Sequence, residues 1–157
     1  MAKKILTVFV LCALVFAAGC AEKPRNERGG IRVWVTEGMT GAPLEGARVT
    51  VPETGLSLLT GADGLAVFDA LPVIPDSEYD QLLPCPSGRV TLLVTAEGFT
   101  PYLLLYARVF PNETRDAGVL MFPDDGTLKT FSVIEAPPAE WCDALAEKYG
   151  KPLSTDH

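Results

Sequence analysis

The sequence predicts an all-β fold, an antiparallel Greek-key sandwich of seven or eight strands followed by a short C-terminal helix. Short segments in which apolar and polar residues alternate, the pattern of half-buried strands, recur along most of the chain. Glycine and proline, 14 and 13 residues of 157, separate these segments as turn formers do. No segment between the predicted strands has the periodicity of an amphipathic helix, which favours a sandwich over an α/β fold.

Eight segments carry the strand pattern, and the first shows it most simply, with Ile31, Val33 and Val35 on one face. The tight turn at Asp63-Gly64 predicts a hairpin between the third and fourth segments. Two prolines at 137–138 begin a predicted helix that ends near Tyr149, with Gly150 as its cap. The predicted strands are 31–36, 47–51, 56–60, 65–68, 89–96, 102–109, 115–122 and 128–134. We therefore expect a β-sandwich over residues 31–134 and a helix with a tail over 135–157.

Residues 1–19 carry the pattern of a lipoprotein signal peptide. Two lysines precede an uncharged apolar run of about 14 residues, too short for a hydrocarbon core of about 30 Å. The small residues before Cys20 resemble a bacterial lipobox, which implies cleavage before Cys20 and acylation of its sulfur and amine. Residues 20–30 would then form the lipidated tether. An ordinary secretory leader with an incidental cysteine is the alternative.

A lipid on Cys20 predicts that the protein is bound to a membrane of the bacterial cell envelope. Each buried acyl CH₂ contributes roughly 0.8 kcal/mol, so three chains make release negligible. Retention at the inner membrane is often signalled by Asp after the lipidated cysteine, where this chain has Ala21. The sequence therefore favours the outer membrane, and it predicts no cofactor apart from this covalent lipid.

Cys85 and Cys142 are the two cysteines that remain after the leader and the lipidated position are set aside. In an oxidising compartment such a pair predicts a disulfide, with two free thiols as the alternative. The bond would close a loop of about 58 residues and contribute about 4 kcal/mol in the chain-entropy model.

Three short motifs occur in order: TGAPLEGARV at 40–49, TGADGLAVF at 60–68 and VTAEGF at 94–99. Together they resemble the carboxypeptidase regulatory-like family, also described as transthyretin-like or prealbumin-like sandwiches, with Phe99 in place of the usual tyrosine. The resemblance covers roughly residues 31–121. It implies a seven-stranded Greek-key sandwich and no activity, because in this family the domain is usually an accessory.

The charge and the histidine count argue against several functions. A formal net charge of -7 and a pI near 4.7 exclude the basic surface that nucleic acids need. The single histidine is the last residue, His157, which leaves no basis for a multi-histidine zinc site or a serine–histidine triad. We therefore predict a protein that is not an enzyme; a carboxylate-based hydrolase is the distant alternative, without a supporting motif.

Three aromatic residues, Trp34, Tyr102 and Tyr106, are the candidate ligand contacts. Alternation places Tyr102, Leu104 and Tyr106 on one face of their strand, and an aromatic platform for a glycan or a peptide is one hypothesis for this face. The preferred interpretation is that the C-terminal helix covers the face, with Cys142 tying the helix to the long loop 72–88.

Acidic residues supply a weaker candidate site. Asp76, Glu78 and Asp80 alternate in the long loop, and Asp124 and Asp125 lie in a turn. Either group has the oxygen ligands that Ca²⁺ prefers, but no EF-hand spacing is present. A solvated acidic loop is the preferred interpretation.

Taken together, the sequence predicts an envelope lipoprotein whose β-sandwich is a structural or protein-binding accessory module, with an envelope protein as partner. The alternative is an adhesion module that binds carbohydrate or peptide through the aromatic patch.

The first prediction concerns the anchor. A palmitate analogue fed to cells that produce the protein should label the native chain, whereas Cys20→Ala should be unlabelled and should keep its leader. Label on the Cys20→Ala protein, measured by in-gel fluorescence, would contradict the lipobox assignment.

Overall fold

Two β-sheets face each other in the computed structural model, which describes residues 27–150. One sheet has three strands in the order β4-β1-β7, and the other has five in the order β3-β2-β5-β6-β8. The strands are β1 (Arg28–Glu37), β2 (Arg48–Val51), β3 (Leu56–Leu59), β4 (Leu65–Pro72), β5 (Gly88–Thr95), β6 (Tyr102–Val109), β7 (Thr114–Met121) and β8 (Phe131–Ile134). The helices are α1 (Ser77–Asp80) and α2 (Ala139–Tyr149). The predicted all-β sandwich with a C-terminal helix is confirmed, and its strand count is eight.

The pairing of the strands differs from the antiparallel prediction at two places. β1 lies parallel to β7, from Gly30 opposite Thr114 to Glu37 opposite Met121, and β6 lies parallel to β8. The other ladders are antiparallel. Hairpins force antiparallel pairing, whereas these two pairs join strands that are connected through the opposite sheet. Connections that cross between the sheets allow either direction, since β1–β4 and β2–β5 are also joined through the opposite sheet and are antiparallel.

The core lies between the sheets and is built from alternate residues of their strands. In β1, Ile31, Val33 and Val35 are fully buried, while Arg32 and Trp34 face outward. The facing sheet contributes a second fully buried row, which includes Leu92 of β5. Burial of each such side chain stabilises the fold by about 1.5–3 kcal/mol before the entropy of ordering is counted. The period-two pattern thus sets which face of each sheet is inside.

The alternation of β6 is interrupted at Tyr106. Tyr102 and Leu104 point into the core, but Tyr106 has a φ of 58°, and beyond it Ala107 and Val109 are buried instead. The β5–β6 register shifts at the same level. An extra residue in one strand moves the following side chains to the opposite face. The prediction that Tyr102 and Tyr106 share a face is therefore corrected.

A tight turn lies at Asp63-Gly64 as predicted, but it does not close a hairpin. β3 pairs with β2 in the five-stranded sheet and β4 pairs with β1 in the three-stranded sheet, so the turn carries the chain from one sheet to the other. Gly64 has a φ of 74°, the left-handed conformation that glycine adopts without steric cost. Its carbonyl accepts a hydrogen bond of 2.8 Å from the Val35 N–H, so the turn is attached to β1. A Cβ at this position would lie 2.5 Å from the Val35 carbonyl oxygen. Phe99, in the last of the three sequence motifs, packs against the core.

The predicted leader, the predicted lipidation site Cys20 with most of the predicted tether, and the end of the C-terminal tail lie outside the described residues. Within residues 27–150, neither helix is long and apolar enough to cross a membrane.

The turn geometry generates the second prediction. Gly64→Ala combines left-handed strain with a collision against backbone, so it should lower the free energy of unfolding by about 3 kcal/mol or more. Gly126→Ala is the matched control, because Gly126 has nearly the same φ of 75° but open space around it. Urea denaturation should show a much smaller loss for Gly126→Ala; equal losses would refute the collision.

Candidate functional site

The connection between β4 and β5 folds inward around one carboxylate, Asp76. Asp76 has no exposed surface and caps α1, accepting a hydrogen bond from the Tyr79 N–H at 3.4 Å. Its other oxygen, Oδ2, lies 3.2 Å from Nη1 of Arg108, which is 1% exposed. Arg89 approaches Oδ1 to 3.3 Å. This buried ion pair fastens the loop to β5 and β6.

Cation–π contacts surround the same ion pair. The Arg108 guanidinium lies 5.4 Å from the centre of the Tyr79 ring, and that of Arg89 lies 4.8 Å from the Tyr106 ring. Among the described residues, Nε and Nη2 of Arg108 have no hydrogen-bond partner. Tyr106 is therefore covered by an arginine rather than presented to a ligand.

Helix α2 packs on this loop and not across the strands. Trp141 is 6% exposed, its ring centre is 5.2 Å from that of Tyr79, and its Nε1 donates to the Leu83 carbonyl at 2.9 Å. At the end of the helix, Nζ of Lys148 donates to the Leu82 carbonyl at 2.9 Å. The expectation that the helix covers the strand aromatics is thus replaced by a contact with the loop.

The predicted disulfide between Cys85 and Cys142 is not formed, and both thiols are free. Cys85 is buried in the loop, with its sulfur 3.6 Å from the Ser87 hydroxyl, while Cys142 is exposed on α2. Successive residues of a helix point about 100° apart, so the face that turns Trp141 toward the loop turns Cys142 away. Packing and hydrogen bonds therefore hold the helix in place of a covalent link.

A small cavity lies at the base of this loop, lined by residues that include Glu27, Cys85, Ser87 and Pro111. Its volume is about 20 Å³, enough for one water molecule. It has no room for an organic substrate.

The acidic residues of the loop do not converge on an ion site. Asp76 contacts two arginines, and Asp80 accepts a hydrogen bond of 2.7 Å from the Cys85 N–H. The side chain of Glu78 is 74% exposed. Within residues 27–150, no group of three or more His, Cys, Asp or Glu residues is arranged to hold a metal ion.

The second acidic pair closes a turn between β7 and β8. Asp124 accepts a hydrogen bond from the Gly126 N–H and Asp125 from the Thr127 N–H, each at 2.9 Å. The backbone hydrogen bond from Thr127 is the main cause that lowers the pKa of Asp125. These carboxylates support the local backbone conformation.

The three predicted aromatic contacts do not form one patch. Tyr102 is 7% exposed in the core, with its ring centre 5.6 Å from that of Phe131, and burial raises its pKa. Tyr106 lies under Arg89 in the same sheet. Trp34 belongs to the other sheet and is 40% exposed on its outer face.

Trp34 has polar neighbours that the sequence did not reveal. Its Nε1 donates to Oδ1 of Asp116 at 2.9 Å, and Arg32 contacts both Asp116 oxygens, Nε to Oδ1 at 2.9 Å and Nη2 to Oδ2 at 3.0 Å. The hydrogen bond from Trp34 and the charge of Arg32 lower the pKa of Asp116. Only the parallel β1–β7 register, which places Arg32 opposite Asp116, could have indicated this pair.

The strand β3 forms an exposed edge of the five-stranded sheet. It pairs with β2 alone, and all four of its residues are exposed. Leu56 and Leu58 stand opposite Val51 and Val49, whose side chains are fully buried. Leu56 and Leu58 thus continue the inner face beyond the part that the narrower three-stranded sheet covers.

No family model and no curated protein matches the chain. Among solved structures, it is similar to the Bacillus anthracis TIE protein, with a TM-score of 0.44 and 14% identity over 62% of this chain and 17% of that one. A type II cohesin–X-dockerin complex from Acetivibrio cellulolyticus matches with a TM-score of 0.45 and 15% identity, over 62% of this chain and 59% of that one. A putative carbohydrate binding protein from Bacteroides uniformis gives 0.39 and 12%, over 60% and 41%. Each match spans less than two thirds of the other protein.

The buried ion pair generates the third prediction. Asp76→Ala leaves Arg108 buried without its counter-charge, so the free energy of unfolding should fall by about 3–5 kcal/mol. Asp116→Ala, which removes an exposed partner of Arg32, is the control and should shift the urea midpoint far less. Comparable shifts for the two variants would mean that the Asp76 pair does not hold the loop.

Proposed function

We propose that this protein is a non-catalytic, lipid-anchored module of the bacterial cell envelope that binds a partner protein through the edge of β3. The observation that carries the proposal is the exposure of the whole strand, Leu56–Leu59, with three leucines and no charge. Leu56 is 48% and Leu59 57% exposed.

An unprotected edge strand is a template for a further strand. Its outward N–H and C=O groups face no neighbouring strand to which they could hydrogen-bond. Natural proteins usually block such edges with lysine, proline or a bulge. β3 contains none of these. A partner segment in extended conformation could pair with the backbone and place apolar side chains beside Leu56 and Leu58, the mode called β-augmentation.

Protein binding suits the chemistry of this edge better than the alternatives. A leucine-rich strand offers no charged group to a nucleic acid and no fixed polar group to a sugar. Partner segments of alternating apolar and polar residues would match its two faces, since Leu56 and Leu58 lie on one and Ser57 on the other. The edge therefore commits the module to an apolar, extended segment of another protein.

The placement in the envelope rests on the leader. Acylation of Cys20 would fix the chain to a membrane, and Ala21 favours the outer one. The seven residues between Cys20 and β1 make eight Cα–Cα steps, which can span at most about 28 Å and would keep the sandwich close to the bilayer. The resemblance of the three motifs to the carboxypeptidase regulatory-like family supports an accessory role without catalysis.

The fourth prediction tests the edge in the cell. A photo-crosslinking amino acid at Ser57 of the full-length protein should give an adduct with one envelope protein, because Ser57 lies in the exposed edge strand. The same amino acid at Val67, which is 37% exposed in the other sheet, is the matched control and should give none. Adducts are identified by mass spectrometry after membrane extraction.

A charge in the edge should abolish that adduct. Leu58→Lys places an ammonium group beside the incoming segment, and the crosslink from Ser57 should fall at least about tenfold, whereas Val67→Lys should leave it unchanged. Adducts with the mass of two copies of this chain would show self-association instead. The lack of any adduct from Ser57 would refute the proposal.

A further inference from the structure

The outer face of the three-stranded sheet contains an open notch beside Trp34, whereas β3 belongs to the other sheet. Gly118 stands opposite Trp34 in the parallel ladder, and Asp116 and Leu120 flank it on the same face of β7. We call this the Trp34 notch: its floor is Gly118, its walls are Trp34 and Leu120, and the Arg32–Asp116 pair closes one end. Leu120 is 51% exposed.

Gly118 is not required by the backbone. Its φ lies outside the left-handed region, and a Cβ built on it would have no atom within 4 Å. Glycine inside a strand costs conformational entropy and contributes no packing. A glycine that the fold does not need, next to an exposed indole, indicates a place where a ligand approaches the backbone.

The indole is held in one orientation. Nε1 of Trp34 donates to Asp116, and Asp116 is itself held by two nitrogens of Arg32. A ligand that stacks on this ring would not have to order it first, which removes part of the entropic cost of binding. The face of an indole carries negative charge density, so it attracts polarised C–H groups.

Beside the Trp34 ring, Arg32 and Asp116 still have hydrogen-bonding groups that a ligand could use. A guanidinium has five N–H groups, and Arg32 uses two of them on Asp116, while Oδ2 of Asp116 accepts one bond among the described residues. The Arg32 and Asp116 side chains are 46% and 54% exposed, so the unused groups face solvent. A donor and an acceptor side by side match two neighbouring hydroxyls.

We infer that the Trp34 notch binds a neutral saccharide, with one pyranose ring stacked on Trp34 above Gly118. A ring whose hydroxyls are equatorial turns its axial C–H groups toward the indole and places two adjacent hydroxyls at Arg32 and Asp116. The net charge of -7 disfavours acidic sugars. This site shares no residue with the edge proposed for the protein partner.

Calorimetry on the full-length protein, purified in a detergent without a sugar headgroup, tests the inference. The probes are cellohexaose, laminarihexaose and chitohexaose, all neutral and built from equatorially substituted rings. At least one should bind, with a Kd of about 10 µM to 1 mM as a shallow surface site allows. Trp34→Ala should weaken binding at least about tenfold, since a tryptophan at the centre of a contact carries much of its energy.

Gly118→Val is the decisive variant, because its Cβ has no atom within 4 Å, its methyl groups extend into the notch, and valine suits a strand. It should abolish binding while leaving the thermal midpoint unchanged or higher. Ser57→Val, the same residue introduced in the exposed edge of the other sheet, should bind as the native protein does. Leu58→Lys should also bind normally, which separates this site from the protein-binding edge.

Two results would overturn the inference. One is the absence of measurable heat with all three hexasaccharides at millimolar concentration. The other is binding that Gly118→Val or Trp34→Ala leaves unchanged, because the sugar would then lie elsewhere on the protein.

Discussion

The ion pair between Asp76 and Arg108 is the interaction on which one end of the molecule depends. Both side chains are almost fully buried, and a charge at that depth is tolerable only beside its partner. Asp76 cannot reach Arg108 unless the long β4–β5 loop folds over β6, so the pair dictates the path of the loop. The carbonyls of Leu82 and Leu83 then become available to α2. A single carboxylate thus decides where the C-terminal helix lies.

The unequal width of the two sheets is the second constraint. Three strands cannot cover five, so the inner face of β3 is left partly uncovered although it continues a fully buried row. The outer face of the narrower sheet has no helix against it among the described elements, which leaves Trp34 accessible. The two proposed surfaces therefore lie on different sheets. A rigid sandwich with two such surfaces could hold a protein and a saccharide at once.

Local patterns predicted most of the fold, because alternation and turn residues are properties of short segments. β6 begins and ends at the predicted residues, and the tight turn at Gly64 was predicted from two residues. The pairing of β3 with β4 across that turn was not, because β4 pairs with β1 in the other sheet. The site was far less predictable. Asp76 looked like a solvated acid because its partner is 32 residues away. The Tyr102–Tyr106 patch failed because one residue with positive φ reversed the alternation, and the disulfide failed because burial of Trp141 turned Cys142 outward.

The position of β1 has a mechanical consequence. β1 is the first strand of the described residues, and it lies in the middle of its sheet with a ladder on each side. A pull on the N-terminus acts along the axis of β1. The hydrogen bonds of both ladders run across that axis, so the pull would load all of them in shear at the same time. Peeling would break them one at a time, but a central strand offers no free side from which peeling can begin. A chain tethered at this terminus would carry tension through the strongest direction of its fold.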